Sequence, residues 1–202
     1  MNGIQEPPEI WEDEIDALRM RVDLLQSQEE LVVFYGSSSL RLWASLAQDM
    51  APLSVLNLAF GGSTYAWCSY FFEQLFAGVH PSRVVLYNGD NDLGQGLSPQ
   101  EVLADYYELV GKIQSHAPQA QITVLSVKPS PSKDHLLAEL EEVNRGIFQH
   151  LHRIAGQYVD VYRPMLDARG HTRPELFEED MLHMNEHGYD IWRTIVREAL
   201  IH

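Results

Sequence analysis

Apolar positions along this chain switch repeatedly between a strand-like run and a helical spacing. Leu31-Val32-Val33-Phe34-Tyr35 is short, β-branched and aromatic, and Gly36 bounds it, which predicts a buried strand. Leu40, Trp43, Leu46 and Met50 then recur at helical spacing. The pattern repeats with Ser54 to Leu58, then Gly61-Gly62, then Trp67, Phe71 and Leu75. It repeats again with Arg83 to Tyr87, a polar Asn88-Gly89-Asp90-Asn91-Asp92 turn, and a helix that starts at Ser98-Pro99 and buries Val102, Leu103, Tyr106, Val110 and Ile113. Gln121 to Val127 is the fourth strand. Lys128-Pro129-Ser130-Pro131 stops it ahead of a long helix with Leu136, Leu140, Val143, Ile147, Leu151 and Ile154 in register.

Tyr158 to Val161 is expected as the fifth strand, and Ile191, Trp192, Ile195, Val196 and Leu200 as the last helix. Between them, Tyr162 to Asp180 reads as a loop longer than most connections, which marks it as functional. Ahead of the first strand, Ile15, Leu18, Val22 and Leu25 make Ile10 to Leu25 an amphipathic helix, a structural lead-in within residues 1–29. Strands alternating with helices predict an α/β fold: a three-layer α/β/α sandwich on a central parallel sheet of about five strands, in one domain over residues 1–202.

Composition narrows the partners. The 202 residues include 29 acidic and 14 basic side chains, a formal charge of −15, with no Lys/Arg stripe, so neither nucleic acid nor an anionic membrane surface is expected to bind. No apolar run reaches spanning length, and Met1 to Asp16 lacks the features of a leader, so a cytoplasmic location is expected. Cys68 is the only cysteine. It can form no intrachain disulfide or Cys-based metal cage, and it reads as a small packing residue.

The polar residues just past the strand ends carry the chemistry. Ser38 follows the first strand, Gly62 the second and Asn91 the third, while Asp180 and His183 precede the last helix. Parallel strands bring them to one edge, which then holds a hydroxyl, an imidazole, a carboxylate and amide donors. Singly, each has an ordinary role: helix cap, turn glycine, Asx turn, surface histidine. Their order along one edge favours the catalytic reading.

These blocks resemble the SGNH hydrolases, also called GDSL-like lipases or esterases, over nearly the whole chain. Gly36-Ser37-Ser38 stands where that family has Gly-Asp-Ser, Asn57 to Gly62 matches the second block, Gly89-Asp90-Asn91-Asp92 the third, and Asp180-Met181-Leu182-His183 the Asp-x-x-His block. The resemblance implies a flavodoxin-like sheet and a triad of Ser38, Asp180 and His183. It also implies an oxyanion hole of Ser38 N–H, Gly62 N–H and the Asn91 amide. Ser37 departs from the pattern, since the family more often has aspartate there.

The activity implied is hydrolysis of a small-molecule ester, acetylated or short-acyl, through an acyl-enzyme, as a serine esterase of the EC 3.1 type with no cofactor and no metal. Ser39, Lys128 and Ser130 are candidate pocket residues. The sequence does not read out an oligomeric state. Two rivals stand beside this reading. One is a non-catalytic small-ligand-binding module of the same fold. The other, less favoured, is a zinc hydrolase in which His183, Glu186 and His187 form an H-x-x-E-H pattern.

Overall fold

The structure is a computed structural model and describes residues 8–25 and 29–201. The lead-in expected over residues 1–29 is described as a 3-10 turn, Pro8–Trp11, running into α1, Glu12–Asp23; residues 1–7 and 26–28 lie outside the described residues.

Five strands form one parallel sheet in the order β2-β1-β3-β4-β5: β1 Val32–Gly36, β2 Val55–Asn57, β3 Arg83–Tyr87, β4 Gln121–Leu125 and β5 Gln157–Val159. Val32 lies beside both Val55 and Arg83, Arg83 beside Gln121, and Thr123 beside Gln157. Every strand therefore ends on the same edge, the arrangement of a doubly wound sheet.

Strand side chains alternate between the two faces, and each face has its own cover. Val33, Tyr35, Val84, Leu86 and Val124 pack against α1, α4 (Tyr65–Phe76), α6 (Pro99–His116) and α7 (Leu137–Arg153). Val32, Phe34, Val85, Tyr87 and Leu125 pack against α2 (Ser38–Arg41), α3 (Leu46–Asp49) and α8 (Glu186–Ile201). The result is the expected three-layer α/β/α sandwich.

Several elements differ from the expectation. Leu40, Trp43, Leu46 and Met50 are all buried, but in place of one helix two single turns carry Leu40 and Leu46, with Trp43 between them and Met50 just beyond; the Trp43 indole N–H donates to Asp49 Oδ2 at 2.7 Å. Burial periodicity survives where helix continuity does not. The polar turn after β3 coils into a short helix, α5, Asp90–Gly94. The fifth strand runs from Gln157 to Val159 and ends two residues sooner than expected, because the Ser126 hydroxyl takes the Val161 and Tyr162 N–H groups at 2.9 and 2.8 Å and draws the chain off the sheet. The long loop is held by two 3-10 turns, Arg163–Met165 and Pro174–Leu176, and by bridges of Leu166 to Thr172 and Phe177 to Met184.

Gly36 ends β1 with φ +148, and a Cβ there would run into the Tyr87 carbonyl oxygen. Gly36→Ala therefore combines backbone strain with a clash. It is expected to cost at least about 2 kcal/mol, read as a lower urea midpoint; an unchanged midpoint would contradict this packing.

Candidate active site

The site begins where the chain leaves the centre of the sheet. After Gly36, the Ser37 N–H donates to the Tyr87 carbonyl at 3.0 Å, and the Ser37 carbonyl accepts the N–H groups of Leu40 and Arg41 at 3.0 and 3.1 Å. Ser38 is the first residue of α2. Main-chain bonds close the turn, and the Tyr189 hydroxyl, donating to the Ser39 carbonyl at 3.1 Å, ties it to α8; the buried Ser37 hydroxyl has no partner among the described residues. No side-chain bond from position 37 stands in for the aspartate more usual in the SGNH pattern.

Asp180 and His183 come from the end of the long loop. Asp180 Oδ1 accepts the N–H groups of Leu182 and His183, each at 2.9 Å, and Met181 between them takes a positive φ of 56. Asp180 Oδ2 lies 2.6 Å from His183 Nδ1, and His183 Nε2 lies 3.2 Å from Ser38 Oγ. The structure thus brings carboxylate, imidazole and hydroxyl into one line. The two backbone N–H groups, His183 first, stabilise the ionised carboxylate and bring Asp180 down to about 2.

Ser38, Gly62 and Asn91 follow three adjacent strands, with Ser38 in the middle. The Phe60 N–H donates to the Gly36 carbonyl at 3.0 Å, and the Asn57 amide to the Leu40 carbonyl at 2.8 Å, so the turn after β2 is tied to the serine turn. Gly62 sits exposed at the tip with φ +69. Asn91 Nδ2 donates to the Ser63 carbonyl at 3.1 Å, which leaves its second amide hydrogen available, while its Oδ1 faces Lys133 Nζ at 3.5 Å. Among the described residues, no acceptor takes the N–H of Ser38 or of Gly62.

Beneath this edge lies a buried ion pair. Lys128 is 1% and Asp90 3% exposed; Nζ is 3.7 Å from the Asp90 carboxylate and donates to the Leu182 carbonyl at 2.9 Å. It also lies over the Phe177 ring. Burial pushes Asp90 up, but Lys133, Lys128 and the Asn91 N–H together outweigh that and hold it below its ordinary value. Burial pushes the Lys128 ammonium down against the pull of Asp90. Lys128 thus braces the residue before His183 against the start of α5. It is not open to solvent, and Ser39 and Ser130, the other candidate pocket residues, are buried as well. All three stand behind the accessible edge in this structure.

Lys133 and Ser63, which meet Asn91, carry no sequence signal for that role: a lone lysine in a Pro-bounded stretch and a serine beside two glycines. The H-x-x-E-H pattern does not become a ligand set. His183 precedes α8 instead of lying on it, and among the described residues no three His, Cys, Asp or Glu side chains cluster as metal ligands. Cys68 is buried, its thiol beside Ser63 and Asn88, and burial pushes it up to about 12. Among the described residues, no helix is long and apolar enough to cross a membrane.

The carboxyl edge of the doubly wound sheet thus holds a hydroxyl, an imidazole and a carboxylate in line. Residues 28–191 match the model of the GDSL-like Lipase/Acylhydrolase family, and the chain belongs to that family. No curated protein matches it. Among solved structures it is similar to a GDSL-like lipase from Bacteroides thetaiotaomicron (17% identity, 95% of each chain covered, TM-score 0.75). It is also similar to the psychrotrophic esterase EstA from a Pseudoalteromonas species (17% identity, covering 86% of this chain and 100% of that one, TM-score 0.68). A third neighbour is an acetyl-xylooligosaccharide esterase from Geobacillus stearmophilus (15% identity, covering 85% and 94%, TM-score 0.69). At these identities the likenesses carry the fold.

Two outcomes follow from the electrostatics. Lys128→Met removes the buried partner of Asp90, leaving Lys133 as its remaining cation, and is expected to cost about 3 kcal/mol at neutral pH. Because Asp90 is held low in the folded state, this deficit is present above its ordinary value and shrinks as pH falls through about 4 and below; urea unfolding at two pH values checks it, and a pH-independent deficit would count against the ion pair. An NMR titration of the Asp180 carboxyl carbon should give a midpoint of about 2. A midpoint near ~4, the value of a free aspartate, would contradict the two backbone bonds.

Proposed function

We propose that this chain is a serine ester hydrolase that forms an acyl-enzyme on Ser38, with small acetyl or other short-acyl esters as substrates. The observation that carries the reading is the continuous pair of contacts, Asp180 Oδ2 to His183 Nδ1 at 2.6 Å and His183 Nε2 to Ser38 Oγ at 3.2 Å. Membership of an acylhydrolase family supports the reaction type. The Geobacillus neighbour, an acetyl-xylooligosaccharide esterase, supports a short acyl group. The EstA neighbour was captured inhibited by monoethylphosphonate, a probe that suits the present site as well.

In this mechanism the ionised Asp180 accepts the Nδ1–H of His183 and so leaves the Nε2 lone pair facing Ser38. His183 takes the Ser38 proton as Oγ attacks the ester carbonyl. The oxygen of the tetrahedral intermediate is met by the N–H groups of Ser38 and Gly62 and by the free amide hydrogen of Asn91. Collapse expels the alcohol, which receives the proton from His183. Water enters, gives its proton to His183 and attacks the acyl carbon; the acid leaves and Ser38 regains its proton.

Hydrolysis of p-nitrophenyl acetate by the wild type and by folded variants tests this. Ser38→Ala should abolish turnover, and Asn91→Ala should lower it by ~10²–10³. Ser37→Ala should keep most of the activity, because its hydroxyl has no partner to lose. A Ser38→Ala protein that still turns over would sink the assignment, and a folded wild type with no turnover on an ester panel would favour the non-catalytic module.

A further inference from the structure

Two side chains of the helical segment ahead of β1 bond to one residue of the oxyanion turn, Gly61, and so hold its two flanking peptides. The Trp11 indole N–H donates to the Gly61 carbonyl at 2.7 Å, and the Gly61 N–H donates to Glu14 Oε2 at 3.1 Å. The other oxygen of Glu14 pairs with Nε of Arg41, the last residue of α2, three residues after Ser38. Trp11 is itself fixed, buried edge-on against Phe60, Trp67 and Phe71. Trp11 and Glu14 both precede residue 28, where the family match begins.

The Gly61 carbonyl and the Gly62 N–H belong to the same planar, trans peptide, so they point to opposite sides of it. An indole that holds the carbonyl on the α1 side holds the Gly62 N–H on the other. Two consecutive glycines would otherwise let this peptide rotate cheaply, since neither has a Cβ to restrict it. A rotated peptide would present a carbonyl oxygen where the proposed mechanism needs a donor. Glu14 holds the preceding N–H and, through Arg41, ties the turn to the short helix that carries the nucleophile.

We propose that Trp11 and Glu14 are positioning residues for the oxyanion hole: the Trp11 indole locks the Gly61–Gly62 peptide with its N–H toward the reacting oxygen, and Glu14 couples that turn to the Ser38 helix through Arg41. The proposal rests on the reading of Gly62 as an oxyanion donor. It makes the segment ahead of the family-matched residues part of the catalytic apparatus.

The test is kcat and KM for p-nitrophenyl acetate in Trp11→Phe, Glu14→Ala and Glu14→Gln, with thermal midpoints for each. Trp11→Phe keeps an aromatic ring in the cluster and removes only the donor. It should lower kcat by about tenfold or more, part of the value of a whole donor, and leave KM within about twofold. Glu14→Ala should lose less, and Glu14→Gln, which can still accept the Gly61 N–H but loses the pairing with Arg41, should recover only part of that loss. In [15N]glycine-labelled protein, the Gly62 amide should shift and exchange faster with solvent in Trp11→Phe. Should Trp11→Phe not fold, the partly exposed Glu14 carries the test alone.

Wild-type kcat in both Trp11→Phe and Glu14→Ala would overturn the proposal, as would losses that merely track the fall in thermal midpoint. A wild type that neither turns over nor is phosphonylated at Ser38 would instead remove the hydrolase reading, and the positioning role with it. An active wild type with fully active variants removes the positioning role only.

Discussion

The hydrogen bond from the Ser37 N–H to the Tyr87 carbonyl is the constraint around which the active edge is arranged. It forms where β1, the second strand of the sheet, passes its neighbour β3, and it directs the chain out of the sheet one residue before Ser38. It requires Gly36, because any side chain there would occupy the space of the carbonyl it faces. The neighbouring turns are then laced to this one: the turn after β2 through Phe60 and Asn57, and α5 through the Asn91 contact to Ser63. The positions of Ser38, Gly62 and Asn91 at the edge are thus inherited from strand register, whereas Asp180 and His183 reach it on the long loop.

Electrostatics finishes what register begins. Asp180 is exposed, yet two backbone N–H groups bring it down to about 2, so a carboxylate faces the imidazole at neutral pH. On the buried side, the Lys128 ammonium satisfies the Leu182 carbonyl and the Asp90 carboxylate together, joining the loop that bears His183 to the helix that bears Asn91. A buried pair of this kind contributes little net stability over an apolar substitute, but losing one member is costly, and that difference favours a single arrangement of the two segments.

Much of this was legible in the sequence. The alternation of apolar runs with helical spacing carries the five strands and the covering helices, because burial on one or both faces leaves a local period. Ser38, Gly62, Asn91, Asp180 and His183 could be singled out because each stands at a fixed offset from a strand end or before the last helix. What could not be read depends on contacts between distant residues. The apolar period of Leu40, Trp43, Leu46 and Met50 does not say that two single turns stand in place of one helix, since a turn that keeps the same residues buried leaves the same pattern. Lys128 reads as a polar residue past a strand end, and only its 54-residue reach to Leu182 shows it to be a brace. Trp11 and Glu14 read as ordinary positions of an amphipathic lead-in; their bonds to Gly61 span 50 and 47 residues.

The central claim is that Ser38 is the nucleophile and that donors from three adjacent strand ends meet the oxygen it generates. A crystal structure of the protein after reaction with an ethylphosphonate ester tests this most directly. The account predicts phosphorus bonded to Ser38 Oγ, with one phosphoryl oxygen roughly 2.7–3.1 Å from the Ser38 N–H, the Gly62 N–H and Asn91 Nδ2. An adduct on another residue, or an adduct on Ser38 whose oxygens meet none of these donors, would contradict it.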